Sequence, residues 1–359
     1  MNIDPQDINW RPQLPQRMDM GIGSVGCGGI VQYAHMPAYR KAGFRCVGVY
    51  DINREAAETV AADNGIRRVY NSLDELLADP AVDIVDIAVP AWEQLAIVEQ
   101  VAATGKHMLC QKPLAEDFGE ALRIVEAGQR AGVKLASNQQ MRWDAGIAAS
   151  AELIRMGAIG QATDAQILVT IATPWHLWPW LAQAPRLEVM YHSIHYLDSL
   201  RFLFGDPQWV TSRHARYADQ APVIGESKTA TVLDYEDGMQ ATVAVNHYNL
   251  HGEPEAVYRF LGTEGAIEGT IGLLYDYPDG RPDTLVYRSG DADPVNVPLD
   301  EKWIPDAFVG PMAGLMIAIE TDSEPATPCV DNLNTLRVVH AAYRSAAEHR
   351  SVRPSEIVG

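Results

Sequence analysis

Asp19-Met20-Gly21-Ile22-Gly23-Ser24-Val25-Gly26-Cys27-Gly28-Gly29-Ile30 is the stretch that decides how this chain of 359 residues is read. It holds the pattern G-x-G-x-x-G at residues 21–26. A dinucleotide-binding turn places its glycines between the first strand and the first helix. Gly21 and Gly23 instead fall inside residues 19–25, which read as a strand. The turn is therefore set at Gly26, Cys27, Gly28, Gly29 and Ile30. Glycines there let a backbone approach a pyrophosphate without Cβ clashes, and the following helix offers unpaired amides. The plain alternative is a glycine-rich bend that binds nothing.

Reading outward, short β-rich runs alternate with helical ones. Residues 19–25, 45–50, 83–89, 107–110 and 133–136 read as strands, and 54–63, 93–104 and 116–131 as amphipathic helices. The runs Val47-Gly48-Val49-Tyr50 and Ile84-Val85-Asp86-Ile87-Ala88-Val89 are mostly apolar, as strands covered on both faces should be. This alternation predicts a Rossmann-type doubly wound parallel sheet over residues 18–140, class α/β. Beyond residue 140 the order changes. A helix near 144–157, a strand near 162–171 and a helix near 189–204 precede successive strands at 208–215, 228–235, 240–247, 256–262 and 265–271. Asp237-Gly238 is a hairpin signal. Residues 141–359 thus read as an α+β substrate-binding and oligomerisation domain with a large, mainly antiparallel open sheet. Its C-terminal helix, 332–349, has one reading in which it packs back on the first domain. Residues 1–17, with three prolines, read as an arm that is mobile or packed on a neighbouring subunit.

The formal charge of −19 argues against a nucleic-acid partner, because such a chain repels phosphate backbones. Four cysteines without C-x-x-C spacing read as reduced thiols, Met1-Asn2-Ile3-Asp4-Pro5 does not read as a signal peptide, and no stretch approaches the roughly 18 apolar residues of a membrane span. The expectation is a cytoplasmic protein.

In the first domain, Asp51 ends the second strand 23 residues after Gly28. A ribose-binding carboxylate is expected at roughly 20 residues. Asp51 would accept from the ribose hydroxyls and repel a 2′-phosphate, which favours NAD over NADP. Arg54 pulls the other way if it pairs with a phosphate, and is otherwise a solvated first-turn residue. Val89 and Pro90 leave a strand at the sheet's carboxyl edge, where ligands bind; Pro90 reads equally as a simple breaker. Gln94 and Gln111 complete the cofactor-binding candidates.

Taken together, three segments resemble the glucose–fructose oxidoreductase / inositol dehydrogenase (Gfo/Idh/MocA) family. They are V-G-C-G-G-I-V-Q-Y-A-H-M-P-A-Y at 25–39, A-T-G-K-H-M-L-C-Q-K-P-L-A at 103–115, and M-R-W-D at 141–144 followed by Y-H-S-I-H-Y-L-D-S-L-R-F-L-F-G at 191–205. The resemblance implies hydride transfer between nicotinamide and a carbinol carbon of a sugar or polyol, in a homo-oligomer (dimer or tetramer). It implies that Lys112 lies between cofactor and substrate and that His195 accepts the proton. Two positions depart from the family pattern: Gln111 stands where Glu is common, and Tyr191 where Asp is common.

The residues support that chemistry. An imidazole titrating near 6.5 suits His195 as a base, and Tyr191, His192 and His195 can share one helical face that Glu188 extends. A lysine cation at 112 would stabilise a developing alkoxide. Substrate-binding candidates are Lys112, Arg142, Trp175, Tyr191, His192 and His195; Arg142 and Arg186 read equally as members of structural ion pairs. The loop Pro174-Trp175-His176-Leu177-Trp178-Pro179-Trp180 is a stiff aromatic surface, either a wall that stacks on a sugar or a packing surface for another subunit. No metal site is expected. The narrowest substrate reading is a cyclic or branched aldose oxidised at its anomeric carbon. The alternatives are NAD-dependent glycoside cleavage through transient oxidation, and a non-catalytic NAD-binding sensor.

Overall fold

A computed structural model describes residues 3–218, 220 and 223–359. By its contacts the chain divides into two units. The Rossmann-type unit comprises residues 12–140 and 304–333 with residue 359, and the sheet unit comprises 3–11, 141–303 and 334–358.

The Rossmann-type unit holds strands β1 (Gly21–Val25), β2 (Arg45–Tyr50), β3 (Arg68–Val69), β4 (Ile84–Ile87), β5 (His107–Gln111) and β6 (Leu135–Asn138). All pair in parallel, in the order β3-β2-β1-β4-β5-β6. Both central strands, β1 and β4, are buried along their whole length, which is why they carry so few polar residues. A π turn at Val31–His35 leads into α1 (Met36–Ala42); α2 (Arg54–Asn64), α3 (Leu73–Ala78), α4 (Ala91–Ala102) and α5 (Phe118–Ala131) follow. Local chemistry sets their ends. Asn53, Ser72 and Asp117 accept from first-turn amides, and Gly43, Gly65 and Gly132 stop helices at positive φ.

In the sheet unit α6 (Ala145–Arg155) leads to β7 (Ala162–Thr170). A second π turn, Val189–Ser193, opens α7 (Ile194–Phe204). Then come β8 (Trp209–Ala215), β9 (Lys228–Asp234), β10 (Gln240–Asn246), β11 (Glu255–Gly262), β12 (Gly265–Thr270), β13 (Leu285–Ser289) and β14 (Val295–Val297). Their order is β14-β13-β12-β11-β7-β10-β9-β8, antiparallel except where β7 and β10 run parallel. In β10, buried Ala241, Val243 and Val245 alternate with more exposed neighbours, so one sheet face is covered and the other open. Gly238, at φ 88°, turns the β9–β10 hairpin as Asp237-Gly238 predicts.

Three expectations need correction. Residues 304–333 do not belong with the second domain: α8 (Val309–Thr321) buries Met312, Ala313, Leu315 and Met316 in one cluster with Ile22, Val49, Ile84 and Leu109 of the Rossmann-type unit. A helix buried on all sides has no polar stripe, and Gly310 and Pro311 disguise its start. The helix that counts mainly with the sheet unit is α9 (Cys329–Glu348), from residue 334 on. Nor do residues 3–11 stand off as a free arm; they pack within the sheet unit. Ile3, Ile8 and Trp10 are buried, the Tyr287 hydroxyl donates to the Ile3 carbonyl, and Arg11 pairs with Asp300 at 2.6 Å. Residues 1 and 2 of the expected arm lie outside the described residues. Among the described residues no helix is long and apolar enough to cross a membrane.

Candidate active site

The glycine turn follows β1 directly. Gly26 has φ 96°, and a Cβ on it would come within 2.4 Å of the Ala88 carbonyl oxygen, so side chains are excluded there by both conformation and space. A Cβ on Gly28 would meet nothing within 4 Å, so the turn opens outward at that point. The Gly28 carbonyl accepts from Val31 and Gln32, starting the helix and leaving the preceding amides at its N-terminus. Gly21 and Gly23 lie within β1, where a Cβ on Gly21 would overlap the Ala81 carbonyl. They serve sheet packing. Cys27 is a buried neutral thiol, its pKa pushed up to about 12 by burial and by Asp51 and Asp86.

Asp51 is braced at the end of β2. Its Oδ2 accepts from the Cys27 amide and its Oδ1 from the Asn53 amide, both at 2.7 Å. Each oxygen retains a further lone pair. Arg54 points elsewhere: it donates to Glu58 at 2.8 Å and to Asn71 at 3.0 Å, an exposed helix-surface pairing rather than a phosphate clamp. Ile30 and Val89 are half-buried beside the turn, and Pro90 is the exposed N-cap of α4.

Lys112 follows β5. Burial pulls its ammonium down to about 7. Its backbone is held on three sides. Gln94 Nε2 donates to the carbonyls of Gln111 and Pro113, both at 2.8 Å, and the Lys112 amide donates to Gln111 Oε1 at 2.8 Å. Gln94 is therefore a buried clamp on the lysine strand: it lies on the covered face of α4, where its NH2 group serves these two carbonyls. Gln111 in turn meets His35, whose Nδ1 lies 2.8 Å from Asp86 Oδ2. His35 and Asp86 were not among the sequence candidates. A lone carboxylate in the apolar run of β4 was the legible signal for them.

In the sheet unit, Glu226 pins the second π turn by accepting from the amides of Leu187 and Val189 and from the Tyr343 hydroxyl at 2.5 Å. Burial and nearby Glu188 raise its pKa. Glu188 is fully buried and accepts from Ser193 and Thr229, each at 2.5 Å, so it braces the turn from behind rather than extending a reactive face. The turn places Tyr191 against Trp180 at 5.4 Å between ring centroids and His192 against His247 at 4.6 Å. His195, 7% exposed, stands edge-on to Trp303 at 5.0 Å. His247 was also missed, because it sits at a strand end with no motif around it.

The tryptophan loop divides. Trp175 is 9% exposed and packs on His192 and His247, so it backs the histidines instead of presenting a stacking face. Trp180 keeps 46% of its surface exposed. Arg142 forms a bidentate pair with Asp198, at 2.7 and 2.8 Å, and both side chains are buried. That pairing fits the reading of Arg142 as a member of a structural ion pair. Arg186 lies over the Tyr343 ring. Among the described residues no group of three or more His, Cys, Asp and Glu is placed to hold a metal ion.

Comparison with known proteins agrees with this architecture. Residues 20–139 match the model described as "Oxidoreductase family, NAD-binding Rossmann fold", and residues 147–268 match "GFO/IDH/MocA C-terminal domain". The chain is 30% identical to a D-apiose dehydrogenase of Paraburkholderia graminis, over 91% of this chain and 88% of that protein. It is 28% identical to a D-apiose dehydrogenase of Rhizobium rhizogenes, over 91% and 95%. An oxidoreductase from Agrobacterium radiobacter, solved with NAD+, L-tartaric acid and magnesium, superposes with a TM-score of 0.84 at 25% identity, covering 95% of this chain and all of that one. A parallel sheet with a glycine turn and a carboxylate after its second strand, an open antiparallel sheet, and family matches to both parts lead to one conclusion: this chain belongs to the Gfo/Idh/MocA family of oxidoreductases with an NAD-binding Rossmann fold.

Proposed function

We propose that this protein is an NAD-dependent dehydrogenase of a small cyclic or branched aldose, with D-apiose the first substrate to test, acting in the cytoplasm as a homo-oligomer. The observation that carries this reading is the place of Lys112, half-buried directly after the carboxyl end of a parallel strand, where desolvation lowers its pKa to about 7. Ligands of open α/β sheets bind at that edge. The relatives named D-apiose dehydrogenase support the substrate class.

The residues fit a dinucleotide. Gly26, Cys27, Gly28, Gly29 and Ile30 would carry the pyrophosphate over open space at a helix N-terminus, and Asp51 would take the ribose hydroxyls. Asp51 disfavours a 2′-phosphate, and Arg54 is occupied by Glu58 and Asn71, which supports NAD over NADP. A bound nicotinamide supplies the hydride acceptor. On the protein side, Lys112 is an amine above about pH 7 and can accept the hydrogen of the substrate hydroxyl. Lys112 passes that proton on, and His195 is where it ends. Tyr191 donates a hydrogen bond to a substrate oxygen, and a phenol in that place adds no negative charge. Trp180, in place of Trp175, offers the ring on which a sugar stacks. The open face of the eight-stranded sheet, where Leu168 is exposed, suits self-association.

The test is reduced-cofactor absorbance at mildly alkaline pH with D-apiose, D-xylose and myo-inositol, each with NAD and with NADP. The expected result is the highest kcat/KM for NAD with D-apiose. Absence of reduced cofactor with all three sugars, alongside a thermal shift on adding NAD, would overturn the dehydrogenase reading.

A further inference from the structure

We propose that His35, held by Asp86 as a neutral imidazole protonated on Nδ1, is a positioning residue that sets the backbone of Lys112 through Gln111. The inference rests on the assignment of Lys112 to the reaction made above.

The chain of contacts lies within the Rossmann-type unit. Asp86 Oδ2 sits 2.8 Å from His35 Nδ1 and accepts from the Tyr39 hydroxyl at 2.9 Å. A carboxylate can only accept, so the shared proton resides on Nδ1. On the other side of the ring, His35 Nε2 lies 3.0 Å from Gln111 Nε2 and 3.3 Å from Asn138 Nδ2. The orientation of the Gln111 amide is fixed chemically. The Lys112 amide is a donor, 2.8 Å from Gln111 Oε1, so oxygen must face Lys112 and the NH2 group must face His35. His35 Nε2 therefore accepts.

The proton on His35 and the hydrogen bond at Lys112 are thus parts of one arrangement. A proton on Nε2 would point at the Gln111 NH2 group, and turning that amide to receive it would set NH2 against the Lys112 amide. His35 and Asp86 are fully buried, so no water makes good a mismatch. Gln94 holds the flanking carbonyls from α4. Together the two amide side chains fix every backbone polar group from the Gln111 carbonyl to the Pro113 carbonyl except the Lys112 carbonyl. Gln111, where the family resemblance expects Glu, also fits this arrangement: the amide supplies the donor that a neutral imidazole requires, whereas a carboxylate there would call for a second proton on the ring.

The experiment uses the full chain with 15N-labelled histidine. His35 is assigned by the signals lost in His35→Gln, and its ring nitrogens are read by NMR. The expected spectrum has Nδ1 protonated and Nε2 bare in the wild type, and both protonated in Gln111→Glu. Kinetics with the most active of D-apiose, D-xylose and myo-inositol form the second arm. Gln111→Leu and His35→Leu should lower kcat about 100-fold with little change in KM, as displaced reacting groups do. Gln111→Glu should recover much of what Gln111→Leu loses, because a carboxylate oxygen still accepts from the Lys112 amide. A protonated Nε2 in the wild type overturns the inference, even if the leucine variants do not fold. So does normal kcat in Gln111→Leu while Lys112→Ala is inactive. Full turnover in Lys112→Ala, or silence with all three sugars, fails the functional reading itself and takes the positioning role with it, leaving the tautomer a property of the fold.

Discussion

Two π turns open the helices that carry candidate site residues, and they are built from different interactions. At Val31–His35 the histidine is held by directional hydrogen bonds to Asp86, Gln111 and Asn138. At Val189–Ser193 the histidine that follows Tyr191 is packed ring against ring, with His247 at 4.6 Å and Trp175 at 5.7 Å. π turns recur at functional sites because they widen one turn and re-aim its side chains. Hydrogen bonds of the first kind specify which nitrogen carries the proton. Ring packing of the second kind specifies where a ring lies. The first suits holding a backbone still, and the second suits a surface that a ligand completes.

The comparison breaks most easily at the residue each turn supports. His195→Ala should lower kcat/KM about 100- to 10,000-fold with NAD binding intact, the range for loss of a general base. In the wild type, kcat/KM should rise as pH passes about 7, because Lys112 loses its proton there and becomes an acceptor. Lys112→Arg, charged throughout, should lose that inflection. A profile that falls through 7 would instead assign the working form of Lys112 to the ammonium.

A smaller effect sharpens the contrast at α7, the helix after the second turn. Arg142→Ala leaves Asp198 buried without its bidentate partner, and should destabilise the protein by about 3–5 kcal/mol in chemical denaturation. Arg54→Ala removes an exposed ion pair with Glu58 and an exposed hydrogen bond to Asn71, and should cost about 1 kcal/mol or less. Equal losses would mean that the buried pair is no anchor.

The smallest effect depends on pH. Burial and neighbouring Asp283 raise Asp144 well above the usual carboxylate range, so the folded chain keeps it protonated. The stability this proton provides is complete below the unfolded value of about 3.9 and is lost as pH rises toward the folded value. Asp144→Asn does not titrate. Relative to the wild type it should therefore gain stability between pH 5 and pH 8, and an identical difference at both would refute the protonated pair.

Much of the Rossmann-type unit was legible locally. Strand β2 and helix α2 have apolar runs and caps within a few residues, and each was placed to within one residue. Two-residue β3 and the six-residue α3 were not, because such lengths hold fewer than two periods of the pattern. Strands β13 and β14, at one side of the second sheet, escaped for a related reason: the loops around them obscure short alternations. Helix α8 is apolar all round and carries early breakers, so sequence periodicity was silent.

The sequence by itself determined the parallel sheet, the glycine turn in its correct register, the carboxylate after β2, the Lys112-Pro113 strand end and the histidine helix, because each depends on neighbours in the chain. Only the tertiary structure decided which polar side chains are already engaged. Arg54 turned to Glu58 and Asn71, Arg142 to Asp198, Gln94 to two carbonyls, and His35 to Asp86. All four involve a partner at least 17 residues away in the chain. A side chain's chemistry is local, whereas its hydrogen-bond partners are set by which strands and helices the fold brings beside it.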